Sequence, residues 1–498
     1  MEQPIAKEKS NLKWLVLLTV IIGTFLGSLD KMIVGLAVPK IISDFHITVS
    51  AAGWISTAYI LANAVFVPIW GKLGDTWGRK KVYVIGFTVF IIGSIFAGLS
   101  WNLGSMLVFR IIQAVASSAD YPTAMAIIAV KFKEGKERAQ ALGIWSSAFA
   151  ASTVFGPLIG GPLIDNFGWR SVFLVNLPVG LIGLFMALTF IDESVSEQKT
   201  KRFDWGGAMA LGGALSALVL VLDKGLDWGW LSTESIIAYA AIIVCSIAFY
   251  LIEKRHPEPI VDLKFFSNSI FVNTLINNAI IFMAMMGAVF LVPIFAQTFL
   301  GYNATETGYL FMPMAAGLLI AAPLGARLMG KIEARYVIAA STAIAGMGIY
   351  MLSWLDPRSG PLVIAIPMFL FTFGMGFGMS QRTNIIASTV PKREIGVASS
   401  VLALVRNVSG AFGIAIFSTM LTNFIKNNVL TVARMSDLYV HTPQAIGEFT
   451  ALVTLKAQIT AYTTIFHVSA IIMFIGAILS LWIKVDKKEE MEEVFVMD

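Results

Sequence analysis

Residues 103–130 read LGSMLVFRIIQAVASSADYPTAMAIIAV. About 20 mostly apolar residues are enough for a helix to cross the hydrocarbon core of a bilayer, and this run is longer than that. It nevertheless contains Arg110 and Asp120. A charge at the centre of a membrane helix costs about 3 kcal/mol or more, so a chain that retains two of them gains something in return. The rest of the chain has the same character. It is 498 residues long, 57% hydrophobic and 13% charged, with a mean hydropathy of +0.78. Soluble domains are about one quarter charged, so this is a membrane composition.

Fourteen apolar segments are expected to cross: 14–38, 51–70, 82–100, 103–130, 140–163, 171–191, 206–223, 234–252, 269–298, 306–329, 337–355, 361–388, 396–424 and 459–483. The first is too long for the apolar region of a signal peptide and lacks a small-residue cleavage site, so it reads as a retained helix. Hydrophilic stretches at 192–205 and 253–268 bracket the seventh and eighth segments, and a third lies at about 425–458. The reading is an all-α integral membrane protein. It has a six-helix bundle over 1–191, a linker with two inserted helices over 192–268, a second six-helix bundle over 269–483 and a charged tail over 484–498. Most of the 36 Lys and Arg residues, Arg382 among them, fall in the connections and helix ends that are cytoplasmic if both termini lie inside, as basic residues do in membrane proteins. On this reading Lys31, Arg110 and Arg406 are the bases left within helices.

Several functions are excluded on composition. No GxxxxGK[ST] phosphate loop occurs, the four histidines have no metal-ligand spacing, and no Ser/His/Asp arrangement stands out. Cys245 is the single cysteine, so an intrachain disulfide is impossible. The expectation is a membrane protein that is not an enzyme, with no cofactor, metal or nucleic-acid partner.

On a continuous helix, Arg110, Gln113, Ser117 and Asp120 fall within roughly 80° of arc and form a polar stripe. Pro122 is placed to kink that helix. The first segment holds Asp30, about 12 Å below its outer end near Val38, and Arg110 lies about 10 Å below the outer end of its own segment. Matched depth makes Asp30 the mate of Arg110, and Asp120, some 15 Å deeper, is left for another task.

Other stretches carry a resemblance. GKLGDTWGRKK (71–81) presents Gly71, Asp75, Gly78, Arg79 and Lys80, with Thr76 where an arginine is usual. RIIQAVA (110–116) keeps Arg110 and Gln113 but has Ala114 for a glycine. STVFGPLIGGPL (152–163) supplies Gly156, Pro157, Gly160 and Gly161, and LDKMIVGLAVPKI (29–41) carries Asp30, with Gly35 replacing an asparagine. WRSVFLVNLPVG (169–180) and GYNATETGYLFMP (301–313) complete the set. In this order the stretches resemble the motifs of the fourteen-helix drug:proton antiporter branch of the major facilitator superfamily, the branch of multidrug and quaternary-ammonium exporters. The resemblance implies a monomeric transporter of the cell membrane with a proton gradient as its energy source and protons, a small molecule and the lipid bilayer as its partners. Asp30 with Arg110 is then the expected proton-coupling centre, and Asp120, which the family pattern does not require, is expected to carry an additional proton or recognise a cationic cargo. The resemblance also implies that Asp75 latches the cytoplasmic side against the helix opening near KREIGVASS (392–400), and that the 156–161 glycines let helices approach closely. Arg406 matches a position commonly basic in this branch. With Gln113, Asn273, Asn277, Phe373 and Phe377 it is a candidate for the cargo cavity. The implied function is export of small amphipathic or cationic compounds against protons. A substrate-specific carrier for a metabolite, anion or lipid-like molecule is the alternative.

Overall fold

The computed structural model describes residues 3–132, 136–194, 204–257, 259–261, 263–329, 331–390, 395–434 and 443–483, apart from some side chains within the helices. No strand occurs among them. The first bundle comprises α1 (Gln3–Phe45), α2 (Val49–Trp77), α3 (Arg79–Gly98), α4 (Leu103–Ser117), α5 (Asp120–Lys131), α6 (Lys136–Phe167), α7 (Ser171–Leu174) and α8 (Asn176–Phe190). Then come α9 (Trp205–Trp228) and α10 (Thr233–Arg255), followed by a 3-10 turn at Leu263–Ser267. The second bundle comprises α11 (Ser269–Phe299), α12 (Ala304–Tyr309), α13 (Met312–Ala326), α14 (Ala334–Leu352), α15 (Pro361–Phe377), α16 (Met379–Ser388), α17 (Ile395–Arg434) and α18 (Pro443–Ser480).

Helix starts follow local chemistry. Thr48 caps α2 and Ser232 caps α10, while Asn102–Ser105 and Asn303–Glu306 form reciprocal capping boxes on α4 and α12. Each satisfies backbone N–H groups that the first turn leaves without partners. Between α2 and α3 the chain turns on Gly78, whose φ of 108° suits glycine.

Among the described residues, twelve helical stretches are long and apolar enough to cross a membrane. Two of the fourteen expected crossings are not among them. Segment 103–130 is split into α4 and α5, neither of which is long enough alone. Segment 140–163 lies in α6, a helix of 32 residues with several side chains outside the described set. The loop expected at about 425–458 is largely helical, because α17 runs to Arg434 and α18 starts at Pro443. Proline suits a first helical turn, where no N–H is needed.

Helices α1–α8 pack on one another, as do α11–α18. The two groups meet along three seams: α2 on α17, α1 on α11, and α6 on α12 and α13. Helix α9 lies along α10 and touches both α2 and α17. An apolar cluster fills the junction, with Trp54 and Leu61 from α2, Leu215 and Val219 from α9, and Ala411, Phe412 and Ala415 from α17.

The α6 seam depends on two glycines. A Cβ on Gly161 would lie 2.5 Å from the Cα of Thr305, and one on Gly308 would lie 2.5 Å from the Pro157 carbonyl oxygen. Helices α6 and α12 therefore touch backbone to backbone. Asp165 fastens the same place, accepting from the N–H groups of Ala304 (3.0 Å) and Thr305 (2.8 Å) and from the Thr305 hydroxyl (2.6 Å). Gly156 and Gly160 face α1, over Met32 and Ile33.

Candidate functional site

The first bundle encloses an ion pair. Arg110 on α4 is 1% exposed and Asp30 on α1 is 0% exposed. Arg110 Nη1 donates to Asp30 Oδ2 at 2.5 Å and to Gln113 Oε1 at 2.6 Å. The other carboxylate oxygen, Oδ1, accepts from Gln113 Nε2 and from Asn176 Nδ2, both at 3.0 Å. Ser94 Oγ closes the ring by accepting from Gln113 (2.5 Å) and Asn176 (2.8 Å). The guanidinium carbon lies 4.0 Å from the Tyr59 ring centroid and 5.6 Å from that of Phe173. Removing two charges from water costs several kcal/mol per ion, and only good geometry with further hydrogen bonds offsets it. Here the carboxylate has three N–H donors and the cation has aromatic faces. Lys31, one residue from Asp30, turns away and stands 5.8 Å over the Tyr59 ring. The sequence reading matched Asp30 with Arg110 by depth but missed Ser94, Asn176 and Tyr59. Asn176 lies in the WRSVFLVNLPVG stretch, which was the one available signal.

Asp120 does not share one continuous helix with Arg110, which corrects the expectation of one helix. Pro122 has no N–H to offer the Ser118 carbonyl, and its ring crowds that same residue. The helix accordingly breaks at Ser118–Ala119 and restarts at Asp120. Asp120 then faces α1, where Oδ2 accepts from Thr24 Oγ1 at 2.6 Å and Thr24 in turn accepts from Trp145 Nε1 at 2.8 Å. Its Oδ1 is buried without a hydrogen-bond partner. Ser117 ties α4 to α2, bonding Tyr59 (2.7 Å) and Asn63 (3.0 Å).

The second bundle corrects the sequence reading twice more. Arg382 was counted among bases at a cytoplasmic helix end, yet it is 2% exposed. Its Nε donates to Asn277 Oδ1 at 2.7 Å, and Nη2 donates to Ser341 Oγ (2.8 Å) and Thr342 Oγ1 (2.9 Å). A Cβ on Gly378, between α15 and α16, would lie 2.6 Å from Nη1, so the helix break provides the room. Asn277 is therefore a core residue and not a cavity wall. Its Nδ2 donates to Thr342 and to the Gly476 carbonyl, both at 3.1 Å. Gln113 is likewise consumed by the Asp30 cluster, whereas Asn273 is half-buried. Phe373 and Phe377 are half-buried and stacked, with centroids 6.0 Å apart. Arg406 on α17 lies 5.2 Å from the Phe282 centroid, and its Nε and Nη2 have no hydrogen-bond partner.

Around Gly78, Glu193 accepts from the N–H groups of Lys80 (3.0 Å) and Lys81 (3.2 Å), and Lys80 Nζ donates to the Leu188 carbonyl (2.8 Å). A carboxylate at the positive start of α3 is favourable, and the sequence reading missed Glu193. Gly71 lies within α2, where a Cβ would be 3.4 Å from Pro122, and the Arg79 N–H donates to the Ser194 carbonyl. The Asp75 side chain and residues 391–394 lie outside the described residues, and so does the latch expected between them.

Residues 20–414 match the Major Facilitator Superfamily. The chain is 32% identical over 412 residues to the multidrug resistance protein Stp of Mycobacterium tuberculosis, covering 82% of this chain and 76% of that one. It is 28% identical over 478 residues to the riboflavin transporter RibZ of Clostridioides difficile, covering 95% and 99%. In fold it is similar to a bacterial homolog of the human lysosomal transporter Spinster in an inward-facing, unoccupied conformation. That likeness has a TM-score of 0.68 at 17% identity and covers 98% of this chain and 100% of the other.

Proposed function

This chain belongs to the major facilitator superfamily and is a multi-pass membrane transporter, not an enzyme, and we propose that it exports small amphipathic or cationic compounds in exchange for protons. The observation that carries this reading is the buried Asp30–Arg110 pair with its ring of Gln113, Asn176 and Ser94. When Asp30 takes a proton its charge is cancelled and the attraction to Arg110 falls. Gln113 Oε1 and the Tyr59 face still hold the guanidinium, while the amides of Gln113 and Asn176 lose a charged acceptor. Proton binding thus acts with different energy on each conformation, which is the condition for coupling two fluxes.

In this reading the chain crosses fourteen times with both termini in the cytoplasm. The α4–α5 pair is counted as one crossing and α6 as another, and the basic residues set the direction. The bundles are 1–191 and 269–483, with 192–268 carrying the inserted pair. Asp75 latches the cytoplasmic side, and the glycine seam of α6 closes the opposite end. Asp120, paired with Thr24 but with one oxygen open, binds a second proton or a cationic cargo. A carrier dedicated to one metabolite is the second reading, favoured by the near-complete overlap with RibZ.

Proteoliposomes carrying an imposed pH gradient test the proposal against a small panel of cations and anions. Wild-type protein is expected to move cargo only with the gradient, and Asp30→Asn to lose that dependence while retaining cargo binding. Full gradient-driven transport by Asp30→Asn would overturn the mechanism and shift coupling to Asp120. If Asp120→Asn leaves rates and proton stoichiometry intact, Asp120 is structural.

A further inference from the structure

The second bundle carries positive charge without compensation. Between Ser269 and Ile483 the acidic residues are Glu306, Glu333, Asp356, Glu394, Asp437 and Glu448, and none lies in the interior of an expected crossing. Glu306 belongs to the α12 cap, Glu333 precedes α14, and Asp356 lies between α14 and α15. Glu394 is twelve positions before Arg406 in the sequence. Yet this bundle holds Arg382 and Arg406 within electrostatic reach of each other, and among the described residues no carboxylate interacts with either.

The two arginines differ in what their donors meet. Arg382 is satisfied by Asn277, Ser341 and Thr342. Arg406 leaves Nε and Nη2 buried and unpaired. These two nitrogens form one edge of the guanidinium, with their N–H bonds running parallel. That edge matches both oxygens of a carboxylate. A buried donor edge on a cation is costly to leave empty, so an acceptor from outside the chain is the natural occupant.

Its surroundings describe the rest of that occupant. Arg406 shares a face of α17 with Gly410 and Gly413, which lie against Met286 and Met283 of α11. The Phe282 ring, one turn before Met286 on α11, lies beside the guanidinium. Across the divide, Tyr121 of α5 interacts electrostatically with Arg406 and packs on Trp145, with centroids 5.3 Å apart. The site therefore lies between the bundles, where an alternating-access carrier holds its cargo.

We propose that the Nε–Nη2 edge of Arg406, together with Phe282, is a cargo subsite that takes a carboxylate borne on a planar aromatic body. This rests on the transporter reading above and narrows its cargo from amphipathic compounds in general to those with an anionic acceptor. The aromatic body lies against Phe282, and the carboxylate supplies the counter-charge that the second bundle lacks.

A matched pair of probes tests it: a rhodamine dye with a free carboxyl group and the methyl ester of the same dye. Binding to the purified full-length protein in detergent is followed by fluorescence anisotropy, with no pH gradient. Wild-type protein is expected to bind the acid about tenfold more tightly than the ester, in keeping with one charge-assisted bidentate contact. In Arg406→Gln the acid is expected to fall to the level of the ester, with ester binding unchanged. Arg406→Lys, which keeps the charge without the fork, is expected to recover only part of the preference and guards against misfolding of the glutamine variant. Equal affinity in wild-type protein, binding of neither dye, or a preference that survives Arg406→Gln would overturn the proposal. Asp30→Asn is expected to keep the preference, so failure of the exchange mechanism and failure of this subsite give different results.

Discussion

Arg110 and Arg382 are buried to 1% and 2% exposure, yet only Arg110 has a carboxylate beside it. The two clusters draw on the same positions in the order of crossings within each bundle. The first crossing gives Asp30 in one and Asn277 in the other. The third gives Ser94 against Ser341 and Thr342, and the fourth gives the arginine itself. The sixth gives Asn176 in one case and the Gly476 carbonyl in the other. What differs is the carboxylate, the group on which the proposed coupling rests; the second cluster has a neutral amide in its place. The clusters also lie at opposite levels, because Arg110 is early in its crossing and Arg382 is late in its own.

Transport offers the most severe test of this contrast. Asp30→Asn, which makes the first cluster resemble the second, is expected to reduce gradient-driven flux in proteoliposomes to the background of empty vesicles. Stability in detergent comes next. Arg110→Leu leaves a buried carboxylate without its cation and is expected to cost about 3–5 kcal/mol. Arg382→Leu orphans only neutral acceptors and is expected to cost about 1–3 kcal/mol. Thermal unfolding of the two variants side by side decides the matter. Equal losses would mean that Arg382 has a counter-charge, and the contrast would fail. The smallest effect belongs to Asn277→Asp. It gains a charge pair with Arg382 but gives up donation to Thr342 and Gly476, so its stability is expected to stay within about 1 kcal/mol of wild type. Its flux is expected to keep the wild-type gradient dependence.

Hydrophobic run length located the helices, and depth along two helices was enough to match Asp30 with Arg110. Arg382 escaped notice for a physical reason. A base near the end of an apolar segment normally reaches for water along its own stem, and nothing local reveals that it turns inward. That direction depends on Asn277, Ser341 and Thr342, which come from two other places in the chain. Ser94 and Asn176 escaped for another reason. Hydroxyls and amides cost far less in a membrane than charges, so their presence marks no site. The break before Asp120 was half legible. Pro122 announced a disturbance, but which carbonyl it would orphan, and toward which helix Asp120 would then face, follows only once α1 is in place.

Helix α9 makes the two flanks of the junction between the bundles different. Together with Trp54, Leu61, Ala411 and Phe412, its side chains Leu215 and Val219 plug the groove where α2 meets α17. The α6 seam has no inserted helix against it, among the described residues. The two flanks of the junction are thereby unlike: an inserted apolar helix lines one, and direct backbone contact between α6 and α12 holds the other.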